Sequence, residues 1–143
     1  MSTTTIREIL GDRELYAVKI ETNLRDAAQV MAEHKAGAVV VLAEGALVGI
    51  LSERDIVFRA VAQGLPSDTT VVEQIMTRDP VTVNIDDGIS DTLAARLGDV
   101  FRHLPVMDGD RVAGVLSFRD IPPEYVMMYE RFREMSGSRA NEV

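Results

Sequence analysis

One seven-residue pattern occurs twice, and that duplication limits the chain to a repeat architecture. Gly49-Ile50-Leu51-Ser52-Glu53-Arg54-Asp55 returns 65 residues later as Gly114-Val115-Leu116-Ser117-Phe118-Arg119-Asp120, and an isoleucine follows each copy (Ile56, Ile121). From Tyr16 onward the same offset pairs Val18 with Val83, Ile20 with Ile85, Asp26 with Asp91 and Val41 with Val106. Further upstream, Ile6, Ile9 and Leu10 share one helical face with Thr5 as its cap, and they answer Val72, Ile75 and Met76 at an offset of 66, so one residue slips between Gly11 and Tyr16. A fixed-period self-match has to be recognised before any fold is assigned. The 143 residues divide into a first repeat, 1–66, and a second, 67–143, each too small to bury a full core alone.

Each repeat reads as β-α-β-β-α. In the first, residues 15–20 form a short strand and Asn23 caps a helix. Leu24, Ala27, Ala28 and Met31 give that helix an apolar face at i, i+3, i+4, i+7. Gly37 is expected to stop it. Residues 38–42 and 46–51 make a hairpin, and Ser52 opens a second helix reaching residue 62, closed by Gly64 and Pro66. In the second repeat, residues 80–85 are the first strand and 89–100 the helix. Residues 104–107 and 111–116 form a hairpin across Asp108-Gly109-Asp110. Ser117 opens the last helix, with Pro122 and Pro123 just inside it and an apolar surface of Tyr125, Val126, Met128, Tyr129, Phe132 and Met135. The fold class is α/β (α+β), two such repeats packed with pseudo-two-fold symmetry.

The repeated motif carries the chemistry. An apolar run that halts at a serine, followed by a cation and a carboxylate, is a strand running into a helix N-terminus. Serine is a good cap there, and an acid three residues on resembles a capping box. The same arrangement is suited to a phosphate and a ribose, through a hydroxyl, an arginine and an aspartate at a junction with free N–H groups. Capping and ligand binding are both open on this pattern, and they are compatible.

Composition narrows the function. Fifteen Lys+Arg against 23 Asp+Glu leave a net charge of −8, which argues against non-specific binding to nucleic acid or anionic membrane. With no cysteine, disulfides, thiolate metal sites and cysteine nucleophiles are excluded. His34 and His103 are the two histidines, too few for a histidine metal site; His34 reads as a helix C-terminal residue. The N-terminal residues carry no apolar leader and no apolar run approaches a membrane span, so a cytoplasmic setting is expected.

Phe101-Arg102-His103-Leu104-Pro105-Val106-Met107-Asp108, with the two G-h-L-S-x-R-D-I stretches, resembles a tandem pair of cystathionine-β-synthase (CBS) domains, the Bateman module. The resemblance covers roughly residues 5–125. It implies two clefts between the repeats and an adenosine-containing ligand, such as AMP, ADP, ATP or S-adenosylmethionine. It implies that Asp55 and Asp120 hold ribose hydroxyls, while Ser52 and Ser117 approach phosphate or ribose. The base is then expected near Val18, Val39, Val83 and Leu104. Arg54, Arg119, Arg102 and His103 are candidate phosphate contacts. The repeats are not equivalent. Gly37-Ala38-Val39 stands where the second repeat has Arg102-His103-Leu104, and Phe118 replaces Glu53, so unequal clefts are expected.

The first functional expectation is a regulatory module, sensing a nucleotide and acting on a separate regulated protein, with a homodimer as the assembly. The alternative is a ligand-free dimeric adaptor working through its C-terminal helix. An enzyme is not expected: no nucleophile–base set, Walker loop or dinucleotide fingerprint is present. Nor is a cofactor expected beyond the regulatory nucleotide.

Overall fold

The computed structural model describes residues 4–95 and 103–125, with 127, 128, 130, 131 and 134 beyond them; of 93–95 and 118 it describes the backbone only. Two sheets carry the fold. The first has the order β1-β2-β3-β4 (β1 Ala17–Lys19, β2 Ala38–Ala43, β3 Ala46–Ser52, β4 Thr77–Arg78). The second has the order β5-β6-β7 (β5 Val83–Asn84, β6 His103–Asp108, β7 Arg111–Ser117). In each, the first strand runs parallel to the second and the next two form a hairpin. Registers match across the repeat: Val18 pairs with Val41 and Val83 with Val106, while Ala38 pairs with Ser52 and His103 with Ser117. Even the register shift recurs, between Val41 and Leu42 and between Val106 and Met107.

The helices are capped as the sequence indicates. Thr5 Oγ1 accepts from Glu8 N–H at the start of α1 (Ile6–Leu10), and Asn23 Oδ1 accepts from Asp26 N–H at the start of α2 (Leu24–His34). Each cap satisfies one of the N–H groups a helix start leaves orphaned. The helix after the first strand of the second repeat, α4, is described over Ile89–Ala95.

The two halves are joined by exchange. Ile6 and Leu10 of α1 lie in the core of the second repeat, with Val83, Ile85, Ile89, Leu104, Val106 and Leu116. Val72, Ile75 and Met76 lie in the core of the first, with Val18, Leu24, Met31, Val39, Val41 and Leu51. Backbone bonds follow the same crossing. Ile6 N–H donates to the Asp87 carbonyl (3.0 Å) and Ile89 N–H to that of Thr4 (2.9 Å). In the other half, Val72 N–H donates to Thr22 (2.8 Å) and Leu24 N–H to Thr70 (2.7 Å). Strand alternation turns Val39, Val41 and Leu51 inward, and Val40 to the opposite face. Val40 and its counterpart Pro105 are nevertheless fully buried, because β2 and β3 pack against β7.

Four local expectations are corrected. Residues 52–62 are not one α-helix: a single turn, α3 (Glu53–Asp55), gives way to a π-helical turn over Ile56–Val61. The wider turn seats Ala60 fully in the core and lets Arg59 Nη1 reach the carbonyls of Met76 (3.0 Å) and Ile75 (3.4 Å). The strand expected over 80–85 shortens to Val83–Asn84, and a separate pair, Thr77–Arg78, extends the first sheet; Pro80 between them has no N–H for a ladder. The stop after α2 is Lys35, in the left-handed region at φ 52°, not Gly37. The last helix does not start at Ser117. Phe118–Asp120 form a 3-10 turn and helical backbone resumes at Pro123, since Pro122 and Pro123 cannot donate back into the preceding turn. In the C-terminal helix, Val126, Tyr129, Phe132 and Met135 lie outside the described residues.

Two glycines make the exchange fit. A Cβ on Gly49 would lie 2.5 Å from Met76 Sδ and 2.9 Å from the Thr77 carbonyl oxygen, whereas one on Gly114 would meet the tip of Leu10 at 3.2 Å. Backbone cannot yield as a flexible leucine tip can. Gly49→Ala is therefore expected to cost about 1–3 kcal/mol of stability in denaturant unfolding, and Gly114→Ala clearly less; equal costs would contradict this packing. The Arg7 hydrogen bond holds the Asp86 carboxyl below the usual carboxylate range. That small contribution is present above the unfolded value of about 4 and lost as pH falls through the folded one. The stability gap between wild type and Asp86→Asn should accordingly shrink between pH 6 and pH 3.

Candidate functional site

Both copies of the repeated motif put their aspartate at the seam between the halves. In the first, Ser52 Oγ accepts from Asp55 N–H (3.1 Å) and Asp55 Oδ2 accepts from Ser52 N–H (3.0 Å), a reciprocal capping box. Asp55 Oδ1 takes the Thr77 hydroxyl at 3.3 Å and has Arg59 Nε at 3.7 Å. In the second, Asp120 Oδ2 accepts from Ser117 N–H at 2.8 Å, and Oδ1 takes Arg13 Nη1, also at 2.8 Å. One oxygen of each carboxylate thus serves its own serine. The other serves a residue of the segment that leads into the opposite repeat's first strand. Capping is part of what these aspartates do. A carboxylate has about four lone-pair positions, so capping does not exhaust either one.

Other candidates are distributed less evenly. His103, at the start of β6, lies against the first repeat: a Cβ on Gly37 would be 3.0 Å from its Nε2 and 2.8 Å from Glu53 Oε1. Gly37 is needed for that close approach. Arg54 lies over the Phe58 ring, its guanidinium carbon 5.1 Å from the ring centre, a cation–π contact. Arg119 is exposed. Arg102 lies outside the described residues. Val18 and Val39 belong to the first core, Val83 and Leu104 to the second. Val39 has no exposed surface at all, so only its backbone is placed to meet a ligand. His34, read as a helix end, also stacks on Tyr16, the ring centres 4.0 Å apart.

The sequence reading passed over Thr77, Arg59 and Arg13. Thr77 carried a signal, since it follows Met76 in the stretch offset by 66. Arg13 carried none, because it falls inside the one-residue slip and has no counterpart to align with.

Comparison with known proteins agrees with the repeat architecture. The CBS domain family profile matches residues 6–61 and again 72–121. The chain belongs to the CBS-domain family. Two CBS domain-containing proteins of Arabidopsis thaliana are 41% identical over 80 residues, 56% of this chain but 15% of theirs, so it spans a small part of those relatives' length. A solved CBS-domain protein of Agrobacterium tumefaciens is 34% identical, covering 82% of this chain and 95% of its own, with a TM-score of 0.72. A CBS-domain protein of Pyrobaculum aerophilum, solved in complex with AMP, is 26% identical and covers 90% of this chain and 99% of its own, with a TM-score of 0.76. CBS-domain proteins of this type are generally regulatory, and these relatives are named for the domain rather than for a reaction. Among the described residues no group of histidine and acidic side chains is arranged to hold a metal ion. No described helix is long and apolar enough to cross a membrane.

The capping role is measurable. Ser52→Ala removes the acceptor for Asp55 N–H and should cost about 1 kcal/mol in denaturant unfolding. No measurable loss would mean that the hydroxyl is not holding this turn.

Proposed function

We propose that this chain is a regulatory module that binds an adenosine nucleotide, of the AMP, ADP or ATP kind, in the clefts between its repeats. One observation carries the reading: each motif aspartate already links its own repeat to the lead segment of the other. Ribose hydroxyls donating to such a carboxylate would touch both halves at once. The AMP-bound relative from Pyrobaculum aerophilum supports adenosine as the nucleoside. A ligand so placed shifts the packing of the halves only through its different affinity for their arrangements. Ser52, Ser117, Asp55 and Asp120 are the ribose and phosphate contacts in this reading, with Arg119 and His103 as further phosphate contacts of the second cleft. The readout is a separate regulated protein in the cytoplasm, the chain acts as a homodimer, and no reaction is catalysed.

A second reading rests on the exposed apolar side chains. Val57, Phe58 and Val61 are 50%, 54% and 68% exposed, and Met127 and Met128 are 56% and 55% exposed. Val57 also borders a groove of about 400 Å³ between α2 and the π-helical turn. A dimeric adaptor that binds no ligand would use that surface.

Calorimetric titration with AMP, ADP, ATP, NAD and S-adenosylmethionine separates the two. Micromolar binding of one of them, weakened about tenfold or more in a folded Asp120→Ala variant, is the expected result. Absence of binding to all five, with a stable dimer in size-exclusion chromatography, would transfer the assignment to the adaptor.

A further inference from the structure

We propose that Arg13 is the phosphate-reading residue of the second cleft: it holds Asp120 when the cleft is empty and engages the phosphate of an incoming nucleotide. The inference rests on the nucleotide reading above and says what the ligand must carry.

The position of Arg13 is fixed from both sides. Its backbone N–H donates to the Leu10 carbonyl at 3.1 Å, and Leu10 is anchored in the second core. The chain then runs on into β1 of the first repeat. Arg13 therefore stands on the connection between the halves, with its guanidinium on the carboxylate that would receive the ribose.

The guanidinium has capacity to spare. Its side chain is 45% exposed while that of Asp120 is 16% exposed. Among the described residues Asp120 is its one side-chain partner, through Nη1. A guanidinium carries five N–H donors in a planar fork and can serve a carboxylate and a phosphate together. The sugar that donates its hydroxyls to Asp120 carries its 5′-phosphate one ring away, within the swing of this side chain. A neutral nucleoside must compete with Arg13 for Asp120 and offers the cation nothing. A nucleotide supplies a second anion, so Arg13 need not be left unpaired.

The first cleft is built differently at the matching place. There the residue reaching across to the aspartate is Thr77, which is neutral. The cation nearby, Arg59, lies on the same repeat as Asp55, 3.7 Å from it through Nε, and its Nη1 donates to the carbonyls of Ile75 and Met76, so it does not reach across from the other half's lead segment as Arg13 does. Phosphate discrimination by a cation that bridges the halves is thus assigned to the second cleft.

The test is calorimetry with AMP and with adenosine on wild type, Arg13→Ala and Arg13→Lys. The expected result is a wild-type preference for AMP, a loss of AMP affinity of about ten- to a hundredfold in Arg13→Ala, and adenosine affinity unchanged or improved. Arg13→Lys should fall between, since it keeps the charge and loses the fork. If Arg13→Ala does not give a cooperative melt, Arg13→Gln asks the same question with a neutral donor on Asp120. An AMP-to-adenosine ratio unchanged by removing the cation overturns the role of Arg13 while leaving the nucleotide reading standing. Wild-type protein that binds neither AMP nor adenosine, and none of the other nucleotides titrated above, overturns both.

Discussion

The exchange of lead segments is the constraint on which the rest of this structure depends. Each repeat's core is completed by three or fewer apolar side chains from the other half of the chain: Ile6 and Leu10 in one direction, Val72, Ile75 and Met76 in the other. A three-stranded or four-stranded sheet with one helix against it is a thin structure, and burial at roughly 25 cal/mol per Å² rewards every apolar side chain that closes it. The crossing also determines what lies near the motif aspartates. Because α1 and residues 72–76 are each committed to the opposite core, the residues that follow them, Arg13 and Thr77, arrive beside the opposite repeat's carboxylate. Packing thus creates the seam, and the seam creates the candidate site.

At that seam one kind of atom serves two purposes. Asp55 and Asp120 satisfy backbone N–H groups that a turn start would otherwise leave orphaned. The same oxygens are the polar groups placed to meet a sugar. Purely structural caps would need only the local bond to serine. The additional bonds to Thr77 and Arg13, 22 and 107 residues away in sequence, couple the cap to the relative position of the halves. A ligand replacing or joining those bonds acts on the contact that aligns the repeats, which is the physical requirement for a regulatory site.

Much of this was legible in the sequence because the repeat is its own control. Strand pairing, both hairpins, the Thr5 and Asn23 caps and the pseudo-symmetric plan follow from apolar periodicity seen twice in one register. What escaped reading depends on contacts between the halves, which a period cannot report. Gly37 looked like a helix stop by local rules; its small size is required instead by His103, which comes from the other repeat. The π-helical turn over Ile56–Val61 has no local signature, since it answers to carbonyls at Ile75 and Met76. Val39, which the family resemblance puts near the base, has its side chain wholly buried in the first core, a fact set by packing that its type alone does not report.

The departures from symmetry follow the same logic. Two halves under the same packing demands keep the same strand registers, the same bulge and the same motif bonds between serine N–H and aspartate Oδ2. They differ where packing makes no demand, at partly exposed positions beside the carboxylates. The first aspartate sees a hydroxyl from the other half and, at 3.7 Å, a cation of its own repeat that also donates to two main-chain carbonyls, while the second sees a cation from the other half bonded to it directly at 2.8 Å. A charge-assisted hydrogen bond at that distance is stronger than one from a neutral hydroxyl, so the two carboxylates meet an incoming sugar on different terms. Equal architecture with unequal charge is thus enough to give the two clefts different chemistry, without any difference in fold.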